Sequence, residues 1–165
     1  MKTCQDNKRW SDRFLPEIKR ILGEHLIAES PVEEDLERNT DLIVLKLDAV
    51  RIASRVRRFR YCELYGHEFT IRSGLPSGNK TELTKIIEGW GDYLFYGFAN
   101  DTETKIVHWV LGDLKVLRLH IHQCLTDRKI PWVAQKNNFD GLSSFVSFRY
   151  SDLPADFLIA HSQDD

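Results

Sequence analysis

The sequence predicts an α/β or α+β domain in which a single-layer mixed β-sheet is flanked by helices. Three observations predict it. The spacing of apolar residues switches along the chain between the helical and the strand period, in the order helix, three strands, helix, two strands, helix, strand. The chain has 165 residues, about one domain's worth, and no composition break divides it, so residues 1–165 read as one domain with short flexible termini. Hydrophobic residues make up 42% and aromatics 11%, enough for a core without metal or disulfide staples. A chain of this size buries roughly 68–70% of the surface that its unfolded form exposes.

Residues 11–28 read as an amphipathic helix, with Phe14, Leu15, Ile18, Ile21, Leu22, Leu26 and Ile27 on one side. Ser11 or Asp12 caps its start, Pro16 is tolerated in the first turn, and Ser30-Pro31 ends it. Residues 41–47 are nearly continuous apolar and read as a strand buried on both faces. Residues 50–57 alternate, with Val50, Ile52, Ser54 and Val56 on one parity and Arg51, Ala53, Arg55 and Arg57 on the other. The two-residue link Asp48-Ala49 suggests that these strands form an antiparallel hairpin, although no glycine sets the turn. Residues 67–71 are a third strand, and residues 73–80, rich in Gly, Pro and Ser, are the clearest loop.

Thr81 caps a short helix over residues 81–90, with Glu82 at the positive end of its dipole and Gly89 near its end. Strands follow over 92–99 and 105–111, then a helix over 113–125 lined by Leu114, Leu117, Ile121 and Leu125. From residue 128 the chain reads as irregular up to a strand over 143–150. Residues 152–160 read as a turn or short helix, and 161–165 as a frayed tail. Trp90, Trp109 and Trp132 are expected to anchor packing, and the glycines in Gly89-Trp90-Gly91-Asp92 to mark close backbone approach.

Composition excludes several function classes. No apolar run approaches the ~18 residues of a membrane span, and the first ten residues lack the apolar stretch of a secretory signal. Three cysteines, far apart and without a CxxC pair, fit neither a disulfide framework nor a zinc site; Cys62 and Cys124 are expected as free thiols in a cytoplasmic protein. There is no GxGxxG, P-loop or GxSxG motif, and the six histidines repeat no metal-ligand spacing. The net charge of −2 offers nucleic acid no overall attraction, so any such role must come from local charge.

That local charge is uneven. Residues 29–41 hold six carboxylates against one arginine, whereas residues 51–60 hold five arginines and no acid. Two solvated faces that attract each other account for this. So does an acidic site for a cation beside a basic strand for phosphates. Further along, Glu68, Thr70 and Arg72 share a strand face by parity, Glu82 and Lys85 share a helix side, and Asp92 opens the next strand. These ionisable groups suggest a polar network at the strand ends.

A helix bearing Glu17 or Glu24, a buried strand opened by Asp41, and a following strand with charged residues two apart at its far end, Arg55 and Arg57, form a sequence of elements. This order resembles the restriction-endonuclease-like superfamily of PD-(D/E)XK nucleases, over residues 11 to about 111. The resemblance implies a helix, a three-strand meander, a helix and a further strand. It also implies Mg²⁺ or Mn²⁺ held by Asp41 and a second carboxylate, activating water for phosphodiester cleavage. The sequence departs from that pattern: Arg55 stands where the family has its metal-binding Glu, and Arg57 where it has Lys. A guanidinium cannot coordinate a cation, so Glu68 becomes the substitute ligand.

Three functional readings follow. The first is a nucleic-acid-processing enzyme with Asp41 and Glu68 as metal ligands and Arg57 and Lys85 as further catalytic groups. Arg51, Arg55 and Arg58 then bind phosphate, and the substrate is DNA or RNA. The second is a non-catalytic nucleic-acid- or protein-binding module on the same fold, with the arginine strand as its contact surface. The third is an assembly protein of phage or mobile-element origin. If the fold differs, Arg55 and Glu68 reduce to a cross-strand ion pair.

Overall fold

The computed structural model describes residues 4–29, 42–44, 50–138, 141 and 143–162. The chain forms two compact units, divided between Val50 and Arg51. Among the described residues the first holds α1 (Cys4–Asp12), α2 (Leu15–Leu26), β1 (Ile27–Glu29) and β2 (Leu42–Val44). Instead of one helix from residue 11, the chain breaks at 13–14 between two. Pro16 then falls in the first turn of α2, where its missing N–H costs nothing. Phe14, Ile18, Ile21 and Leu22 are buried, as the periodicity predicts. Strand β1 pairs antiparallel with β2, Ile27 opposite Val44.

The second unit contains β3 (Ile52–Arg57), a 3-10 turn (Phe59–Tyr61), α3 (Cys62–Tyr65), β4 (Glu68–Gly74), α4 (Glu82–Ile87), β5 (Tyr93–Ala99), β6 (Ile106–Asp113), α5 (Leu114–Thr126), β7 (Ala134–Asn137), β8 (Ser144–Arg149) and β9 (Leu158–His161). The α+β class is as expected, but the strands of this unit form two sheets where the sequence suggested one layer. One is four-stranded in the order β3-β5-β6-β9, and the other is three-stranded in the order β4-β8-β7.

Residues 41 and 45–49 of the hairpin expected between residues 41–47 and 50–57 lie outside the described residues, and its two strands fall in different units. β2 pairs with β1, and β3 runs parallel to β5 with Arg55 opposite Tyr96. An apolar run is satisfied by any buried neighbour, and without turn residues that impose a hairpin, sequence adjacency does not choose the partner. β5 and β6 pair antiparallel, as do β6 and β9, β4 and β8, and β7 and β8.

The core lies between the two sheets. Phe69 and Ile71 of β4 and Val146 and Phe148 of β8 meet Leu94, Tyr96 and Phe98 of β5 and Val110 of β6. Leu83 and Ile86 of α4 and Leu114, Leu117 and Ile121 of α5 join the same cluster, which Leu153 and Phe157 complete. Leu125, expected on the inner side of α5, is exposed. Gly112 has a packing reason: a Cβ there would lie 2.3 Å from the Phe157 ring. Gly91 likewise sits where a Cβ would meet Leu114 at 2.9 Å, but Trp90 beside it is exposed and does not anchor the core.

The Thr81 cap is present as expected, Asp113 is a cap that the sequence reading did not name, and Ser11 and Asp12 lie at the end of α1 and do not start α2. The Thr81 hydroxyl accepts from the Thr84 N–H at 3.2 Å, and the Asp113 carboxylate accepts from the N–H groups of Lys115 and Val116. Each stabilises its helix by about 1 kcal/mol.

Candidate functional site

Strand β3 lies at the edge of its sheet, and strand β4 at the edge of the other. Arg55 and Arg57 project from the same face of β3 as the inward-facing Tyr96 and Phe98, which stand opposite them on β5. They therefore point toward β4 and meet it. Arg55 donates to the Thr70 carbonyl at 3.0 Å and to the Glu82 carboxylate at 2.7 Å. The same Glu82 oxygen accepts from the Arg72 backbone N–H at 3.2 Å.

This arrangement has a structural purpose. Residues two apart on a strand direct their backbone groups to the same side, so Thr70 C=O and Arg72 N–H both face the edge of β4 away from β8. No third strand of the sheet satisfies them there. The Arg55–Glu82 pair supplies one donor and one acceptor, and it joins β3, β4 and α4. An unmanaged sheet edge is a template for aggregation, and this pair closes part of it. Of the polar network expected from the sequence, Thr70 and Glu82 are joined through Arg55, whereas Glu68 and Lys85 take no part among the described residues, and Arg55 pairs with Glu82 and not with Glu68.

The remaining basic residues divide into paired and unpaired. Arg58 forms an ion pair with Glu103. Arg57 donates to the Thr70 hydroxyl at 3.2 Å and lies 4.7 Å from the centre of the Tyr61 ring. Arg60 lies 4.8 Å from the same ring and donates to the Tyr61 hydroxyl at 3.0 Å. The side chains of Arg51, Arg57 and Arg60 have no carboxylate partner among the described residues. Arg51 engages Asp92 through its backbone, whose N–H donates to the Asp92 carboxylate at 2.7 Å. Lys85 is exposed on α4, away from any ion pair among the described residues.

Asp41 lies outside the described residues, so its place relative to Glu68 is not seen. Glu24 pairs with Arg20 on α2. Glu68 is half-buried on β4 and has no hydrogen bond or ion pair among the described residues. Among those residues, no group of three or more His, Cys, Asp or Glu side chains converges as a cation site would require. Of the expected ligand pair, Glu68 is described and Asp41 lies outside the described residues.

Next to Glu68 is a group that the sequence did not single out. The Tyr150 hydroxyl is buried without a hydrogen-bond partner among the described residues, and its ring stacks on Phe69 at 5.5 Å. Burial pushes the phenol well above its ordinary range, and the neighbouring Tyr96 and Glu68 push it the same way. The sign for stability follows. The unfolded chain releases this proton first, so the contribution is complete below the ordinary phenol pKa of about 10 and is lost as pH rises above it. The urea midpoint is expected to fall more steeply from about pH 9 to about 11 in the wild type than in Tyr150→Phe. Equal slopes would show that Tyr150 titrates as an ordinary phenol.

Cys62 and Cys124 are free thiols, as expected, and burial first, then Glu63, raises the Cys62 pKa and makes it a poor nucleophile. No described helix is long and apolar enough to cross a membrane. Comparison of the chain with protein-family models, curated proteins and solved structures found no match.

The sequence marked the arginines but missed the groups that decide their roles. Thr70 and Glu82 consume Arg55, Glu103 consumes Arg58, and Tyr61 carries Arg57 and Arg60. An available signal was the run Arg58-Phe59-Arg60-Tyr61, in which arginines and aromatics alternate.

Proposed function

We propose that the protein is a non-catalytic nucleic-acid-binding module whose contact surface is the segment from Arg51 to Tyr65. The observation that carries this reading is the set of guanidiniums left without carboxylates: Arg51, Arg57 and Arg60 among the described residues. Of the five arginines here, Arg55 and Arg58 serve the fold. The other three retain the capacity to take phosphate oxygens, with Arg57 and Arg60 held in place by Tyr61.

Three phosphate contacts predict a salt slope of roughly −2 to −3 in log–log form. Binding of a fluorescein-labelled 12-mer oligonucleotide, followed by anisotropy, is then expected to weaken about 20- to 40-fold between 50 and 200 mM salt. Arg60→Ala is expected to lower the affinity and flatten the slope by about 1. Absent or salt-insensitive binding would refute the reading.

Metal-dependent cleavage, the activity that the endonuclease-like resemblance implies, is favoured by one observation only: the Glu68 carboxylate is unpaired among the described residues. The same oligonucleotide incubated with millimolar Mn²⁺ separates the two. Cleavage that EDTA and Glu68→Gln both abolish would favour the enzyme; binding without cleavage favours the module.

A further inference from the structure

We infer that the segment recognises single-stranded nucleic acid, with Phe59 and Tyr65 as stacking platforms for bases. This rests on the binding reading above and goes beyond it, because the arginines alone would serve a duplex as well. The 3-10 turn Phe59–Tyr61 runs directly into α3, Cys62–Tyr65, so residues 59–65 form one short helical rod. Tyr61 and Cys62 pack against the core, whereas Phe59, Leu64 and Tyr65 are left 40%, 64% and 38% exposed.

Phe59 and Tyr65 present ring surface at the two ends of a seven-residue rod, with the Tyr65 ring 6.3 Å from that of Tyr61 and two guanidiniums beside Tyr61. The rod is also held firmly. Arg58 at its start pairs with Glu103, and the Gly66 carbonyl at its end accepts from the Nε2–H of His108 at 3.1 Å. A carbonyl only accepts, so Nε2 carries the proton, and Nδ1 is free to accept from the Ser162 hydroxyl at 3.2 Å. A rigid mount lowers the entropy cost of ordering the rings on binding.

The spacing suits a single strand. Six residues at a rise of about 1.5–2.0 Å separate Phe59 from Tyr65 by about 9–12 Å. Stacked nucleotides rise roughly 3.4 Å each, so the rod spans about three of them. Between the platforms lies Tyr61 with the guanidiniums of Arg57 and Arg60 against its ring. Phosphates joining the stacked bases would therefore pass Arg57 and Arg60, which have no carboxylate partner among the described residues. A duplex hides its base faces and offers the rod only phosphates, so the aromatics add nothing to duplex binding.

Anisotropy with labelled dT12, rU12, a 12-base-pair DNA duplex and a 12-unit abasic strand tests this at one salt concentration. The expected result is binding of dT12, rU12 or both at least tenfold tighter than the duplex and the abasic strand. The comparison of dT12 with rU12 tells DNA from RNA as the better ligand. Phe59→Ala and Tyr65→Ala are each expected to weaken single-strand binding about tenfold and leave duplex binding within twofold. Phe59→Leu keeps the apolar volume without the π-face and should match Phe59→Ala; unchanged melting of each variant confirms that the rod remains folded. Equal binding of duplex, abasic strand and dT12, with salt dependence intact, overturns the single-strand inference while the phosphate-binding reading stands. No salt-dependent binding of any of the four overturns both.

Discussion

Phe69→Ala is expected to lower the unfolding free energy by about 3–5 kcal/mol. Phe69 is fully buried, and its ring stacks on Phe148, Phe157 and Tyr150 at centroid distances of 5.3, 5.4 and 5.5 Å. A fourth ring, Tyr96, meets it edge-on at 6.1 Å. These neighbours come from β8, from the segment before β9, from the residue after β8, and from β5 of the other sheet. One side chain thus touches rings carried by both sheets. Its removal leaves a cavity bounded by rigid rings, which collapse poorly, so the cavity adds to the lost transfer energy. In urea, with a slope near about 2 kcal/mol/M, the midpoint should fall by about 1.5–2.5 M without a change in slope. A loss under about 1 kcal/mol would show that the sheets close over the gap.

How much of this was legible in the sequence depends on whether a feature is local. The helix cap at Thr81 was legible because a cap bonds residues only two or three positions away. Strands β5, β6 and β8 were legible because each carries a dense run of aromatic and β-branched residues. β7 was not, because Ala-Gln-Lys-Asn has no apolar alternation and is held by its backbone register with β8 alone. β9 was obscured by Pro154 and Ala155 just ahead of it, which read as turn or helix and do form a 3-10 turn before the strand begins.

Strand pairing was the least legible feature. β3 finds its partner β5 only after the 3-10 turn, α3, β4 and α4 have intervened, a parallel crossover that no local signal announces. The site shares this difficulty. The arginine cluster was visible as composition, but the partner that fixes Arg55 lies 27 residues further on. Without that partner, a structural arginine and a phosphate-binding one look alike in sequence. Arg57, two positions away, shares the strand face of Arg55 but has Tyr61 and the Thr70 hydroxyl instead of a carboxylate.

Separating those two arginines gives the second large effect. Arg55→Ala is expected to lower stability by about 2–3 kcal/mol, because it strands the Glu82 carboxylate and leaves the Thr70 carbonyl without its donor. The side chains of Arg55 and Glu82 are 24% and 27% exposed, so water and salt recover part of the loss. Glu82→Ala removes the acceptor for the Arg72 N–H as well and should cost about as much. The double variant should fall short of the sum by about 1–2 kcal/mol, since either change alone already breaks the link between β3, β4 and α4. Additive losses would mean that the two side chains act independently at the β4 edge. Nucleic-acid affinity, measured where each variant is fully folded, should stay within twofold for Arg55→Ala and fall for Arg57→Ala. Arg55 spends its donors on the protein, whereas Arg57 retains donors for a phosphate, so the reverse order would assign Arg55 to the ligand and not to the fold.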